Sequence, residues 1–317
     1  MFSSVRGQDI HFSQFNLSPL TLNPAMTGFF NGHYRLQANY RTQWGSINSK
    51  YETIAGGVDF SLFKDKLRED YFGVGAYLYS DRAGDLNFNT THVNMSFAYS
   101  KGFGDRVQQS IALGFSAGFI SRSLNPNAAL FPDQIEALAQ ESFSDMDFSA
   151  GLLWHIVPRD RLNMYIGYAY HHLNEPKNSF LQDASSTISP KHVLSAGALI
   201  EVGERFNLLP SLLYARQLKA QQVNFGTYLQ YVFGDDLETD ASISFGLFAR
   251  LSQPAVDAVI PTLRIDVSGF TFGFSYDINV SELSGGTNGR GALEVALLYT
   301  GSFKRVRNYR KIYCPTF

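Results

Sequence analysis

Apolar and polar residues alternate along most of this sequence, in short stretches separated by turn residues. In the first clear stretch four apolar or aromatic residues alternate with four polar ones: Tyr34, Leu36, Ala38 and Tyr40 against Arg35, Gln37, Asn39 and Arg41. Successive side chains of a β-strand point to opposite faces, so each stretch predicts a strand with one apolar and one polar face. Charged residues at this density are hard to place in a dry core. The pattern is typical of a transmembrane barrel, whose strands face lipid on one side and a polar lumen on the other.

The alternation recurs in about fourteen stretches, an even number, as bacterial single-chain barrels prefer. Pro210 and Pro261 fall inside two of them, where each removes a donor from the hydrogen-bond ladder. We therefore predict an all-β fold, a transmembrane antiparallel β-barrel of about 14 strands over residues 31–300, with an error of about two strands. The predicted strands are centred on residues 34–41, 54–62, 71–78, 93–99, 110–119, 147–156, 162–171, 193–199, 206–214, 223–233, 242–251, 259–267, 270–278 and 293–299.

The composition agrees with a barrel. Aromatic residues make up 15% of the chain and charged residues 17%, against about 25% charged residues in a typical soluble domain. No uncharged run of apolar residues is long enough for a transmembrane helix, which needs about 20. The net charge of -2 gives no sign of nucleic-acid binding. A soluble β-sandwich or soluble barrel also alternates and stays open as an alternative, although its strands are usually shorter.

The lengths of the connections predict which end of the barrel faces outward. With the N-terminus in the periplasm, the odd-numbered connections are the outer loops, which are usually the longer ones. The two longest gaps, residues 124–145 and 173–190, both fall on the odd side, as does the glycine-rich stretch 282–291. We therefore expect a multi-pass protein of the cell outer membrane with both termini in the periplasm.

Two terminal segments do not alternate. Residues 8–30 contain Pro19 and Pro24, and we expect residues 1–30 to fold into the lumen or cap its periplasmic mouth as a plug-like segment. Residues 1–7 are too short for a secretory signal, so we expect the native start to differ from the printed one. Residues 301–317 form a basic periplasmic tail with five cations and no acid: Lys304, Arg305, Arg307, Arg310 and Lys311.

The seven histidines are the residues that most resemble catalytic or metal-binding groups. His171 and His172 should point to opposite faces of one strand, so they should not hold one metal ion together. His155 or His192 could pair with a serine on a neighbouring strand, as in a surface hydrolase, but no G-x-S-x-G motif is present. We interpret the histidines as polar lumen or interface residues and predict no enzymatic activity, no cofactor and no metal.

Glycines recur on the predicted lumen side of the strands. One interpretation is that a plug or another segment packs closely on the inner wall. The other, which the sequence favours somewhat, is that glycine relieves crowding in a curved sheet. The glycines concerned are Gly57, Gly73, Gly75, Gly114, Gly118, Gly167 and Gly197.

Both ends of the chain resemble a known family. The stretches QDIHFSQF from Gln8 and SPLTLNPAMTG from Ser18 resemble the N-terminus of the PorP/SprF family, outer-membrane proteins of the type IX secretion system of Bacteroidota. The stretch NYRTQW from Asn39 is similar to the first-strand motif of that family, and the ending CPTF from Cys314 resembles its closing motif. Between the termini the likeness lies mainly in barrel pattern and length.

The resemblance implies a non-enzymatic component of type IX secretion. Its partners would be translocon and periplasmic components and a secreted adhesin, often one of gliding motility, bound through the C-terminal sorting domain of the cargo. We expect outer-membrane lipid around the barrel, cargo at the two long loops, and no nucleic acid. The residues that we expect to contact partners are His11, Phe12, Asn23, Pro24, Arg305, Arg307, Arg310 and Lys311. The alternative function is a passive or ligand-gated channel of the fatty-acid-transporter type, which also carries an N-terminal plug.

Overall fold

The structure, a computed structural model, describes residues 9–43, 51–64, 67, 70–84, 88–103, 108–124, 142–180, 186–233, 241–252, 255–280 and 290–303. A short α-helix, α1 (Pro19–Leu22), lies between two 3₁₀ turns at Phe15–Leu17 and Pro24–Met26. Fourteen strands follow: β1 (Tyr34–Gln43), β2 (Tyr51–Leu62), β3 (Tyr71–Ala83), β4 (Phe88–Phe103), β5 (Gln109–Ser123), β6 (Ser142–Arg159), β7 (Leu162–His171), β8 (Lys191–Glu201), β9 (Phe206–Gln217), β10 (Ala220–Phe233), β11 (Ala241–Ser252), β12 (Ala255–Val267), β13 (Phe270–Asn279) and β14 (Arg290–Gly301).

The strands form one closed antiparallel barrel. Each strand pairs with its neighbours in the chain, and β14 pairs with β1 from Tyr34 opposite Gly301 to Gln43 opposite Ala292. Closure leaves no strand edge exposed, so the backbone groups of the sheet are paired within the wall. The predicted fourteen-stranded barrel is confirmed.

The two faces of the wall differ in the way the alternation predicts. On β1 the side chains of Arg35 and Asn39 are 5% and 2% exposed, while Leu36 between them is 47% exposed. On β4 the outward-facing Met95 is 72% exposed and its neighbour Asn94 is fully buried. An apolar outer surface around a polar interior is the arrangement of a transmembrane barrel and the reverse of a soluble sandwich.

Both prolines lie inside strands, as expected. Pro210 pairs with Thr227 of β10, and Pro261 pairs with Leu247 of β11. On the opposite side of each proline the register is interrupted, between β8 and β9 at Pro210 and between β12 and β13 at Pro261. Each proline therefore interrupts the hydrogen-bond ladder to one of its two neighbouring strands, because its ring nitrogen has no hydrogen to donate.

The connections gather at two ends of the barrel. We call the end that holds the β5–β6 and β7–β8 connections the loop end; the predicted placement of the two longest connections at one end is confirmed. The other end, the turn end, holds the start of β1. It also holds tight turns such as β12–β13, where Ser268 and Gly269 both have positive φ angles of 49° and 84°. Such turns match the right-handed twist of antiparallel strands.

Residues 9–31, which we call the N-terminal segment, run through the barrel from one end to the other. Asp9 contacts Gln217, the last residue of β9, at the loop end, and the carbonyl of Phe30 accepts a hydrogen bond from Lys64 at the turn end. Between them the segment contacts inward-facing residues on strands all around the closed wall, so it lies in the lumen. Among the described residues, no helix has the length and apolar character needed to cross a membrane.

Candidate functional site: the lumen and the segment inside it

The backbone of the N-terminal segment packs directly against several glycines of the inner wall. A Cβ atom on Gly114 would overlap the backbone of Pro24 and Ala25, and one on Gly73 would overlap the carbonyl group of Thr27. At these positions only glycine lets the segment approach this closely. For these two glycines the packing interpretation is therefore correct, and the crowding interpretation that the sequence favoured is wrong.

Other wall glycines do relieve crowding between strands. A Cβ atom on Gly118 would meet the backbone of Val93 on the adjacent β4, and one on Gly197 would meet the ring of Tyr165 on β7. Both sequence interpretations thus apply, each to different positions.

The second half of the segment is held by hydrogen bonds as well as by close packing. The side chain of Asn23 accepts a hydrogen bond from the backbone N–H of Ala25 at 2.8 Å and so caps the second 3₁₀ turn. Its amide nitrogen donates to the carbonyl oxygens of Leu152 and Tyr168 in the wall, at 3.1 and 3.3 Å. Asn23 therefore fixes the turn to β6 and β7.

An ion pair fixes the segment near the turn end. Arg35 donates two hydrogen bonds to Asp59, at 3.0 and 2.8 Å, and both side chains are buried. The same carboxylate accepts the backbone N–H of Gly28 at 2.7 Å, and Arg35 donates to the carbonyl of Met26 at 3.2 Å. Burying this pair is tolerable because the segment supplies the remaining hydrogen bonds.

Near the loop end, one carboxylate binds two backbone N–H groups of the segment. Glu294 of β14 accepts from the N–H groups of Ser13 and Gln14, at 2.8 and 2.9 Å. Its charge is balanced by Arg41, 3.1 Å away. Charge-assisted hydrogen bonds of this kind are about twice as strong as neutral ones.

A second carboxylate extends this ionic cluster. Asp277 of β13 lies 2.9 Å from Arg41 and 2.7 Å from Arg250, and it accepts a hydrogen bond from the hydroxyl of Ser13 at 2.9 Å. Asp257 pairs with the other side of Arg250 at 3.0 Å. The first strand and the last four strands are thereby joined through one residue of the segment.

A row of alternating carboxylates and imidazoles holds the start of the segment. Nε2 of His172 donates to Asp9 at 2.7 Å, Nδ1 of His172 donates to Asp147 at 2.9 Å, and His92 lies 3.2 Å from the second oxygen of Asp147. Burial alone would lower the pKa of His172, but its attraction to the two carboxylates outweighs burial and raises the pKa to about 10. Burial alone would raise the pKa of Asp9, yet His172 holds it below its usual range.

The prediction that His171 and His172 point to opposite faces is wrong. His171 ends β7, and the positive φ of 58° at His172 breaks the alternation, so both rings lie buried inside the barrel. Nδ1 of His171 lies 3.1 Å from the hydroxyl of Ser149, and its Nε2 lies 3.2 Å from the carbonyl of Leu22. His171 therefore links the wall to the segment.

The two histidines considered for a hydrolase have other partners. His155 lies 2.6 Å from the amide oxygen of Asn163, and His192 lies 2.8 Å from the hydroxyl of Tyr168 on the outer surface. Among the described residues, His171 does contact a serine, Ser149. Within the described part of the chain, no group of three or more His, Cys, Asp or Glu side chains is arranged to hold a metal ion.

A cavity of about 90 Å³ lies at the loop end beside the start of the segment. Its wall combines apolar residues of the segment and of β8 and β9 with polar groups that include Lys191, Gln217 and Gln222. Nε2 of Gln222 and Oδ1 of nearby Asn224 are buried without a hydrogen-bond partner among the described residues. The resident segment therefore leaves hydrogen-bonding capacity of the wall unused.

The residues predicted to bind partners are only partly described. His11 lines the cavity, and Phe12 belongs to a buried apolar cluster that includes Tyr77 and Tyr79. The side chains of Phe12, Asn23 and Pro24 are buried against the wall of this chain, so their binding to another protein stays a prediction. Arg305, Arg307, Arg310 and Lys311 lie outside the described residues, as does residue 8.

The sequence pattern did not point to several residues that bind the segment to the wall. Asp9, Ser13 and Glu294 belong to this group, and none was predicted to bind anything. One signal was present: Glu294 is the only charged residue within the apolar stretch GALEVALLYT of β14. A lone carboxylate in such a strand indicates a specific partner in the lumen.

The chain matches a protein-family model described as "Type IX secretion system membrane protein PorP/SprF" over residues 4–299. No curated protein sequence matches it. Among solved structures, the chain is similar to the CymD monoaromatic hydrocarbon channel with a TM-score of 0.52 and 10% identity, covering 89% of this chain and 91% of that chain. The Pseudomonas putida toluene transporter TodX matches with a TM-score of 0.49 and 9% identity, covering 89% and 92%. At these identities the likeness shows the fold alone.

Proposed function

The chain belongs to the PorP/SprF family and is an outer-membrane β-barrel of the type IX secretion system, and we propose that it binds secreted cargo together with translocon and periplasmic partners, without catalysing a reaction. The cargo that we propose is a surface adhesin recognised through its C-terminal sorting domain. Family membership supports a role in type IX secretion, and the cargo and the partners are our proposal.

The observation that carries the proposal is the filled lumen. The N-terminal segment spans the interior and is fixed at both ends by buried ion pairs, Arg35–Asp59 near the turn end and Asp9–His172 at the loop end. A barrel built to pass small solutes freely needs open space along its axis. The occupied interior therefore argues against a passive open pore, while a ligand-gated channel with its own plug stays the alternative.

The long connections are the surfaces that we propose for cargo. The β5–β6 connection, residues 125–141, lies outside the described residues. The β7–β8 connection is held close to the barrel mouth, because Arg122 donates to Asn178 and Asn174 donates to the carbonyl of Met146 at 2.7 Å. We assign the loop end to the cell exterior, where long loops of such barrels usually lie. On this assignment Asp9 lies at the exterior mouth, so the expectation that the N-terminal segment starts in the periplasm and caps the periplasmic mouth does not hold for residue 9.

Co-purification tests this function. The tagged protein is isolated from native membranes in mild detergent, and mass spectrometry identifies the proteins that accompany it. We expect type IX translocon components and at least one large secreted protein with a C-terminal sorting domain. Recovery of the barrel alone, in a preparation where other translocon complexes survive, would count against the proposal.

Removing the longest connection tests the placement of the cargo surface. Residues 126–140 are replaced by a short glycine–serine linker, and an equal-length linker is inserted between Asp160 and Arg161 at the turn end as the matched control. We expect the first change to abolish cargo recovery and the second to preserve it. Unchanged recovery in the first variant would move the cargo surface elsewhere.

A second candidate function is a passive or ligand-gated channel. The cavity beside Asp9 is the feature that favours it, because it could hold a small ligand near one mouth of the barrel. Conductance in planar bilayers separates the two candidates. A steady open-pore current from the wild-type protein would favour the channel, and a silent barrel would favour secretion.

A further inference from the structure

The loop-end half of the lumen binds polypeptide backbone through wall side chains. The carbonyl of Ile10 accepts from Lys191 at 3.3 Å, that of Ser13 from Asn224 at 3.2 Å, and that of Leu17 from Asn39 at 3.1 Å. Glu294 binds two N–H groups of the same stretch, and the side chain of Gln217 accepts the N–H of Asp9 at 3.3 Å. Contacts to backbone groups do not depend on which side chains the bound peptide carries.

Two side chains of the segment supply specificity at this end. The carboxylate of Asp9 pairs with His172, and three positions later Phe12 lies in a buried apolar cluster with Leu20, Ala55, Tyr77 and Tyr79. A peptide with a carboxylate three residues before an aromatic side chain would fit the same positions.

The two halves of the segment are held in different ways. From Pro24 to Gly28 the backbone lies in notches that Gly114 and Gly73 leave in the wall, the glycine notches, where a Cβ atom would overlap it. From Asp9 to Asn16 polar contacts to wall side chains combine with apolar packing of Phe12 and Phe15, the cavity lies alongside, and the buried amides of Gln222 and Asn224 keep unpaired atoms. A competing chain could therefore enter at the cavity and replace the first half while the second half stays in place.

We infer that residues 9–17 are an exchangeable occupant of a peptide-binding site. The other occupant is a segment of a second polypeptide that carries a carboxylate three residues before an aromatic side chain. This inference rests on the proposed protein-binding function and names the chemistry of the partner segment. Exchange frees residues 9–17 at the loop end and thereby signals that the site is occupied.

Peptide binding to the full chain in detergent tests this inference. The probe is a fluorescein-labelled peptide, QDIHFSQFNL, with the sequence of residues 8–17. Fluorescence anisotropy measures its affinity for the wild-type chain and for a chain carrying Asp9→Ala, which weakens the resident segment and leaves the wall intact. We expect saturable binding to both, about tenfold tighter for the variant, since a loss of about 1.4 kcal/mol in the competitor gives a factor of ten.

Changes in the peptide and a labelling assay locate the binding. Alanine in place of the peptide's aspartate, or of the phenylalanine three positions later, should each weaken binding about tenfold or more. For the labelling assay the chain carries Asn16→Cys and Cys314→Ser; Asn16 is buried and contacts Ser211 at 3.1 Å. Added peptide should accelerate maleimide labelling at position 16, because exchange exposes it.

Failure to bind the Asp9→Ala chain while its thermal stability stays intact would overturn the inference. Binding without faster labelling at position 16 would also overturn it, since the peptide would then sit outside the lumen. Either result, with secreted proteins still co-purifying, leaves the proposed function standing and removes only this site. Peptide exchange without co-purifying partners would instead support the site and contradict the proposed function.

Discussion

The carboxylate of Asp9 lies 2.7 Å from Nε2 of His172, which joins the start of the described chain to the loop after β7. The contact spans 163 positions of sequence and lies at the loop end, opposite the end where β1 begins. Ion pairs, backbone hydrogen bonds and glycine notches together make the N-terminal segment part of the barrel's structure.

Neutralising Asp9 should loosen the first half of the segment. The change Asp9→Asn removes the charge that pairs with His172, and we expect the anchoring of residues 9–17 to weaken by about 1.5–3 kcal/mol. Hydrogen–deuterium exchange of the backbone amides of Ser13 and Gln14 measures this. The exposed turn residue Glu204 provides the control: Glu204→Gln should leave their exchange unchanged. Equal exchange in all three proteins would show that the ion pair contributes nothing.

The same pair predicts the pH range over which the segment stays anchored. The pKa of His172 is raised to about 10, so its contribution is complete below the unfolded value and is lost as the pH rises through about 10. The pKa of Asp9 is lowered, so its contribution is lost only as the pH falls below its usual range. The stability difference between wild type and His172→Gln, from thermal unfolding, should decline gradually from about pH 7 upward and vanish above about pH 10. A difference that is already lost at pH 8, or that persists unchanged above pH 10, would contradict this assignment.

Filling a glycine notch should displace the second half of the segment. The methyl group added by Gly114→Ala would overlap the backbone of Ala25, and overpacking of this kind costs about 1–3 kcal/mol. Gly203 has nothing within 4 Å of its Cβ position, so Gly203→Ala is the matched control. Guanidinium unfolding in detergent should show a loss for the first change and none for the second. No loss at Gly114 would mean that the segment is easily rearranged.

Removing Arg41 should disrupt the ionic cluster near the loop end. Arg41→Ala leaves Glu294 buried without its cation, a change that costs about 3–5 kcal/mol in comparable buried pairs. Arg41→Lys keeps the charge, but its single ammonium group cannot bridge both Glu294 and Asp277, so an intermediate loss is expected. The exposed Arg82 serves as control, since Arg82→Ala should change the free energy of unfolding by less than about 0.5 kcal/mol. Similar losses at both arginines would contradict the cluster's role.

The barrel could be predicted from sequence because period-two alternation is a local signal. Leu36 and Arg35 point to opposite faces of the wall because successive side chains of any β-strand do so. The even strand count and the position of the long connections follow from the same pattern. Even Pro210 and Pro261, which argue against a strand by themselves, are found inside strands because the neighbouring residues carry the alternation.

The path of the N-terminal segment could not be predicted in the same way. Its contacts join residues that are far apart in sequence: Ser13 and Glu294 are separated by 281 positions. No periodicity links them, and the sequence around a glycine such as Gly114 does not indicate which segment will pack against it. The inward direction of the His172 ring could not be predicted either. It depends on a positive φ angle, which is uncommon for residues other than glycine.

Whether this barrel serves the secretion of particular proteins can be read from the surface proteome of cells that lack it. Surface and periplasmic proteins are quantified by mass spectrometry in the wild type, in the deletion strain and in the complemented strain. We expect one or a few large secreted proteins to disappear from the surface, accumulate behind the outer membrane and return on complementation. An unchanged surface proteome, together with lost uptake of a small apolar solute, would contradict the secretion role and assign the barrel to transport.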